Sequence, residues 1–304
     1  MFKYGSSFVD ERYSSMVEPL LYADNIFQPG VTYTDKYAET MTKDSGGVGL
    51  VKVHKLKMTD TEVKASGKLD FDNEDVDDEL MDIALNNSFM KSIKLYGLVA
   101  ASVAYAMQME YYDILVNKVR NTWTQAGIAC LANEGTVSEA ATGTFAKVSL
   151  LDDVLQERVK LRHKNGDANV IICSPETFAQ MLMESKTGYT PAFNDSQVTA
   201  SSIARMMYWQ GFLWIETSML EGANNSALKY VSYSGTANEV KTVDASKIKY
   251  ILYNPQAFSI LDNLEVMRIV DTNAFVGSLA QIAINSGFKV TNSDLVVVRK
   301  LGEE

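Results

Sequence analysis

The chain is poor in the residues that carry most enzyme chemistry. Among 304 residues there are only two histidines and two cysteines. His54 and His163 each sit beside lysine in polar surroundings and far apart in sequence, which marks both as surface residues rather than a base or a ligand pair. Cys130 and Cys173 lie 43 positions apart in apolar or small-residue settings. They read as buried free thiols, with a disulfide or metal pair as the weaker reading. No Cys-x-x-Cys, His-Glu-x-x-His or Gly-x-Ser-x-Gly pattern occurs. Gly46-Gly47-Val48-Gly49 lacks the Lys-Ser/Thr of a phosphate loop and precedes a strand-like run instead of a helix. No carboxylate pair stands out as acid and base, so catalysis has no positive support and no cofactor or metal is expected.

Basic excess is also missing. Lys and Arg number 28 against 38 Asp and Glu, a formal charge of -10. That excludes a reader of nucleic acid, whose affinity comes from clustered cations. It suits a container whose inner wall lets DNA slide, although solubility alone accounts for it equally well. Long hydrophobic runs are absent too: the most apolar stretch, Leu95 to Met109, contains Ser102 and Gln108, so no membrane span is expected. The first residues show no apolar core of a secretion signal.

What the chain does have is a long helical stripe. Leu98, Ser102, Tyr105, Met109, Tyr112, Val116, Val119 and Trp123 recur in steps of three and four, which predicts one helix over Leu98 to Ala126. At 1.5 Å per residue it would run roughly 43 Å. Glu110, Asp113, Lys118 and Arg120 fall between the stripe positions and predict a wet or polar-partnered side.

Ahead of the helix, residues 1 to 31, broken by Pro19 and Pro29, read as an extended arm. Val51 to Met58 alternates with period two, yet neither face is cleanly apolar, because Lys55 and Lys57 share one face with Val51 and Val53 while Lys52 and His54 lie on the other. A strand unable to bury a face is a candidate projecting hairpin. Asp70 to Glu79 then holds seven acids in ten residues. It fails as a calcium loop, since Asp75 and Met81 stand where Gly and Glu are required. Leu80 to Leu85 is expected to return as the second strand.

Beyond the helix, Gly127 to Gly143 reads as a connection. Ser149 to Asp152 is a capping signature for a helix with Leu151, Val154, Leu155 and Val159 on one face, closed by Gly166. Val170 to Cys173 is a buried strand, and Ser174-Pro175 caps a helix over Glu176 to Glu184. Lys186 to Ser202 is expected as a loop and Ile203 to Tyr208 as a short helix. Strands are predicted at Phe212 to Ile215, Lys229 to Ser234, Ile248 to Tyr253, Glu265 to Val270, Gln281 to Ile284 and Leu295 to Arg299. Fourteen methionines fill cores by default; a second reading is that they let one surface pack in several slightly different ways.

This order of parts resembles the major capsid proteins of tailed double-stranded DNA bacteriophages, the Hong Kong ninety-seven type of shell fold. The resemblance rests on the arm, the two-stranded loop, the long helix carrying Glu110-Tyr-Tyr-Asp113, and Val170-Ile-Ile-Cys-Ser-Pro-Glu-Thr-Phe178. Gly211 to Thr217, Ala257-Phe258 and Val266 to Asp271 extend it. It implies an α+β fold with an amino-terminal arm at 1–31, an extended loop at 32–90, and a peripheral domain with a spine helix at 91–148. An axial domain at 149–246 and returning strands at 247–304 complete it.

The resemblance further implies a structural protein, not an enzyme: a virion subunit that self-assembles as hexamers and pentamers into an icosahedral head. Such a head is assembled in the host cytoplasm and encloses DNA without sequence-specific binding. A separate scaffolding protein and a portal are the expected partners. Neighbour contacts are expected from Lys52, Lys55 and Lys57 against Asp72, Asp75, Asp77 and Asp78, and from Glu110, Asp113 and Arg120. An encapsulin-like nanocompartment shell is the alternative of the same fold, and a soluble α/β enzyme the alternative from another class.

Overall fold

The computed structural model describes residues 26–37, 42–43, 49–57, 77–96, 105–139, 149–164, 166–187, 206–271 and 277–301. Expectations for Leu98 to Ser102 and for residues 188–202 fall outside them.

The long helix, α1, spans Tyr105–Glu134, about 45 Å at the α-helical rise. Val116, Val119 and Trp123 are buried as the stripe predicts, joined by Leu115. The helix continues a full two turns past Ala126, so the expected connection at Gly127 is helical as far as Glu134. Small residues there serve packing: a methyl on Gly127 would lie 2.5 Å from the Phe27 ring. Residues 128–132 are all buried.

Under α1 lies a three-stranded antiparallel sheet, ordered β12, β13, β4, formed by β4 (Asn87–Tyr96), β12 (Phe258–Asp271) and β13 (Gly277–Val290). Ala280, Ile282, Ile284, Ser286, Phe288 and Val290 alternate into the interior along β13, the period-two signature of a half-buried strand. Trp123 joins helix to sheet, its indole N–H lying 2.9 Å from both Asp262 Oδ1 and Ser286 Oγ. Phe27, from the segment expected to be arm, sits against Trp123 and Phe258 with centroids 5.8 and 5.4 Å apart. The carboxylate of Glu134, unfavourably placed at a helix C-terminus, accepts from Val290 N at 3.0 Å and Lys289 Nζ at 3.1 Å.

The second lobe is built on a six-stranded sheet. Its order is β5 (Thr136–Glu139), β14 (Val296–Lys300), β11 (Ile248–Tyr253), β6 (Val170–Cys173), β8 (Phe212–Glu216), β7 (Met206–Trp209). Helices α2 (Leu150–His163) and α3 (Pro175–Thr187) cover one face, where Ile171, Cys173, Trp214, Tyr250 and Leu252 point. Val170, Ile172, Ile215, Ile251 and Tyr253 point the other way, into the core shared with α1. Burial on both faces is why these strands read as unbroken apolar runs. The caps are as predicted: Ser149 Oγ accepts from Asp152 N at 3.2 Å and Ser174 Oγ from Thr177 N at 3.2 Å.

Two expectations here are corrected. Met206 to Tyr208 is strand, not helix, because Gln210 and Gly211 have φ of 53° and 80° and turn β7 back onto β8 as a two-residue hairpin. Leu155 and Val159 are 39% and 52% exposed; the buried stripe of α2 is Leu150, Asp153, Val154, Glu157 and Leu161. β9 (Leu228–Tyr233) and β10 (Asn238–Val243) form a separate two-stranded ribbon.

Candidate assembly surfaces

The expected hairpin consists of β2 (Gly49–Lys57) and β3 (Asp77–Ala84), with β1 (Thr42–Lys43) along the outer side of β2. Its root is anchored: Val51, Ile83 and Leu85 are buried with Leu261 of β12. Gly287 lets the root approach, since a methyl there would lie 2.5 Å from the Ala84 carbonyl oxygen. From Val51 to Lys57 the arm runs about 20 Å at the rise of a strand.

The register bears directly on the charged residues. Lys57 lies opposite Asp77, Lys55 opposite Glu79 and Lys52 opposite Asp82, while Asp78 faces Leu56. Basic and acidic segments set against each other across subunits in the sequence reading thus alternate across one hairpin. Directly opposed residues of unlike charge stabilise an antiparallel pair. Lys52 is exposed. Asp72 and Asp75 lie outside the described residues.

On α1, Glu110 and Asp113 occupy the amino-terminal third of the helix, and Lys118 is exposed as expected. Arg120 is not: it is 5% exposed, and its Nη2 donates to Asn117 Oδ1. Its position four residues after buried Val116 keeps it on the buried side of the helix, so the expected wet edge stops short of it.

Sequence reasoning missed the charged seam inside the second lobe. Arg299 Nη2 meets Asp153 Oδ1 at 2.5 Å, and its Nη1 reaches Glu157 Oε1 at 3.5 Å and Ser138 Oγ at 3.0 Å. Tyr250 donates to Asp153 Oδ2, and burial, followed by the Asp153 charge, pushes its phenol well above the ordinary value. The available signal was Asp153 and Glu157 recurring in step with Leu150, Val154 and Leu161. This seam fixes α2 to β5, β11 and β14.

Cys130 and Cys173 are buried free thiols whose pKa burial raises well above its ordinary value, which suppresses thiolate chemistry. Among the described residues no group of three or more His, Cys, Asp or Glu is placed to hold a metal. A groove of about 550 Å3 beside the β7–β8 turn is lined by Arg158, Asp167 and Tyr208. Its two charges are spent on each other, Arg158 Nε and Nη2 lying 2.7 and 3.0 Å from the Asp167 oxygens. No helix among the described residues is long and apolar enough to cross a membrane.

Neither a protein-family model nor a curated protein matches the sequence. Solved structures do match. The capsid structure of cyanophage P-SCSP1u has a TM-score of 0.57 at 11% identity, over 84% of both chains. A chain of Mycobacterium phage Che8 has 0.56 at 12% identity, over 91% of this chain and 95% of that one. The mature capsid of bacteriophage PhiM1 has 0.53 at 12% identity, over 84% and 82%. At such identities the likeness speaks to fold, and it covers most of the chain: the chain has the fold of phage capsid proteins.

Proposed function

We propose that the chain is the structural subunit of an icosahedral virus head. It assembles as hexamers and pentamers around double-stranded DNA that it does not bind by sequence, with a separate scaffolding protein and a portal as partners. The observation that carries this reading is the capsid fold over at least 84% of the chain. A two-stranded hairpin whose Val51, Ile83 and Leu85 pack on Leu261 of β12 supports it. Catalysis is no part of the reading.

The residues assigned to neighbour contacts are Lys52, Lys55, Lys57, Asp72, Asp75, Asp77, Asp78, Glu110 and Asp113. The in-chain register narrows their roles: Lys52, Lys55, Lys57 and Asp77 each face an unlike charge across the hairpin, whereas Asp78 faces Leu56 and is the acid of the described ladder left for a neighbour. Arg120, being buried, is assigned to the core of the subunit.

Electron microscopy of the expressed chain, alone and with a co-expressed scaffolding protein, tests the proposal. Closed shells of uniform diameter that depend on the scaffold are expected. Small uniform shells forming from the chain alone would indicate a cargo compartment instead, and a discrete monomer at high concentration in both preparations would overturn the proposal.

A further inference from the structure

The β9–β10 ribbon has two edges that are treated differently. On β9, Val231 donates its N–H to Asn87 Oδ1 at 2.7 Å and accepts from Asn87 Nδ2 at 3.1 Å. Both polar groups of Val231 therefore point away from β10, and the Asn87 amide caps that edge. In an antiparallel ladder directly opposed residues turn their backbone groups alike, both inward or both outward. Val240 is the partner of Val231. Its N–H and C=O consequently point out of the ribbon on the β10 side, as do those of Asn238 and Thr242, two residues to either side. Among the described residues no strand pairs with that edge, and Val240 is 64% exposed. An uncapped strand edge of this kind is a template for another strand.

The sequence of the edge specifies which strand. Glu239-Val240-Lys241 is self-complementary about Val240. A second β10 running antiparallel, with Val240 facing Val240 of the other copy, sets Glu239 opposite Lys241 twice over and Asn238 opposite Thr242. Val240 exchanges both backbone hydrogen bonds with its counterpart, while the two charge pairs occupy the closer, non-hydrogen-bonded sites. Within one chain Glu239 and Lys241 already lie 2.7 Å apart on one face, so both are positioned for the partner.

We infer that β10 is a two-fold contact strand, joining two copies of this chain into a continuous four-stranded sheet ordered β9, β10, β10, β9. Such a contact is isologous, the same patch on both copies. It rests on the backbone edge and its charges, not on the shell reading.

Cysteine crosslinking of the full-length chain tests it, in subunits and in any particles formed. Opposed Cα atoms in a hydrogen-bonded pair are about 5.5 Å apart, within disulfide reach, and the native thiols are buried. Oxidised Val240→Cys should give a species of twice the 33.7 kDa chain mass, and Thr242→Cys, which faces Asn238, should not. No dimer from Val240→Cys, or equal dimer from both, overturns the inference. Glu239→Lys and Lys241→Glu, each added to Val240→Cys, should each cut the yield roughly fivefold as two opposed pairs turn repulsive. An equimolar mixture of the two should restore it, although each chain alone keeps its internal like-charge pair. Failure of the mixture to recover, with circular dichroism showing both variants folded, also overturns it. Shells lacking the crosslink would defeat this inference alone; crosslinked dimers that never form shells would defeat the shell reading alone.

Discussion

At the residue scale, three side chains do work out of proportion to their number. Trp123 is fully buried, yet its N–H is satisfied by Asp262 and Ser286. Trp123→Phe keeps most of the apolar area and removes both bonds, so chemical denaturation of the unassembled subunit should show a loss of about 1 to 3 kcal/mol. Arg299 is the counter-charge for two buried acids. Arg299→Met leaves Asp153 and Glu157 without their guanidinium and should cost about 3 to 5 kcal/mol in the same measurement. Asp167 differs because it is partly exposed. Hydrogen bonds from Arg158, then Arg162, hold its carboxyl well below the ordinary 3.8. A group whose folded-state pKa is depressed contributes stability above its unfolded pKa and loses it as pH falls toward the folded value. The melting temperature of Asp167→Asn should therefore lie below that of the native chain at pH 7. The gap should close as pH drops below about 4, near the unfolded carboxylate value; a gap independent of pH would show that the ion pair contributes nothing.

At the element scale, the arm depends on close approach at its root. Gly287→Ala places a methyl against backbone, which cannot swing aside as a side chain can. It should raise hydrogen exchange in 49–57 and 77–84 while leaving the six-stranded sheet protected. Reversing Lys52, Lys55 and Lys57 to Glu should loosen the same two strands, because each lysine faces an acid of its own chain. Adding the opposite reversal at Asp77, Glu79 and Asp82 should restore protection; if only assembly fails and exchange stays unchanged, those lysines act between subunits instead. Physical reasons separate what the sequence disclosed from what it hid. Val170 to Cys173 and Ile248 to Tyr253 were legible because burial on both faces writes itself as an apolar run. Asn238 to Val243 was not, since a ribbon edge exposed on most positions has no apolar alternation to detect. The end of α1 was misread because Gly127 and its small neighbours look like a loop, while in the fold they admit Phe27. Met206 to Tyr208 reads as helix in isolation because the cross-strand partner that decides it, Phe212 to Ile215, lies beyond the turn. The charged residues were identifiable, but their pairing within one hairpin is a property of register, which composition does not carry.

At the scale of the whole molecule, the charge of -10 sets two opposing demands. In the proposed shell, subunits of like charge would repel as they gather, yet a wall of that sign would release an enclosed polyanion. Repulsion between separated surface charges is screened over a Debye length, which falls from about 30 Å at 0.01 M salt to about 8 Å at 0.15 M. Contacts made of buried apolar area and backbone hydrogen bonds are not weakened in the same way. If the chain assembles as proposed, light scattering of purified subunits with the proposed scaffolding protein should therefore show faster shell formation as salt rises over that interval. A subunit held to its neighbours mainly by exposed ion pairs would do the reverse. The same sign argument governs DNA. A protein that gripped phosphate would lose affinity steeply with salt through counterion release, whereas free subunits of this chain should leave duplex DNA unshifted in a gel even at 0.05 M salt. Binding at low salt that vanishes at 0.2 M would place a concentrated basic patch on the subunit and would overturn the picture of a wall that encloses without holding.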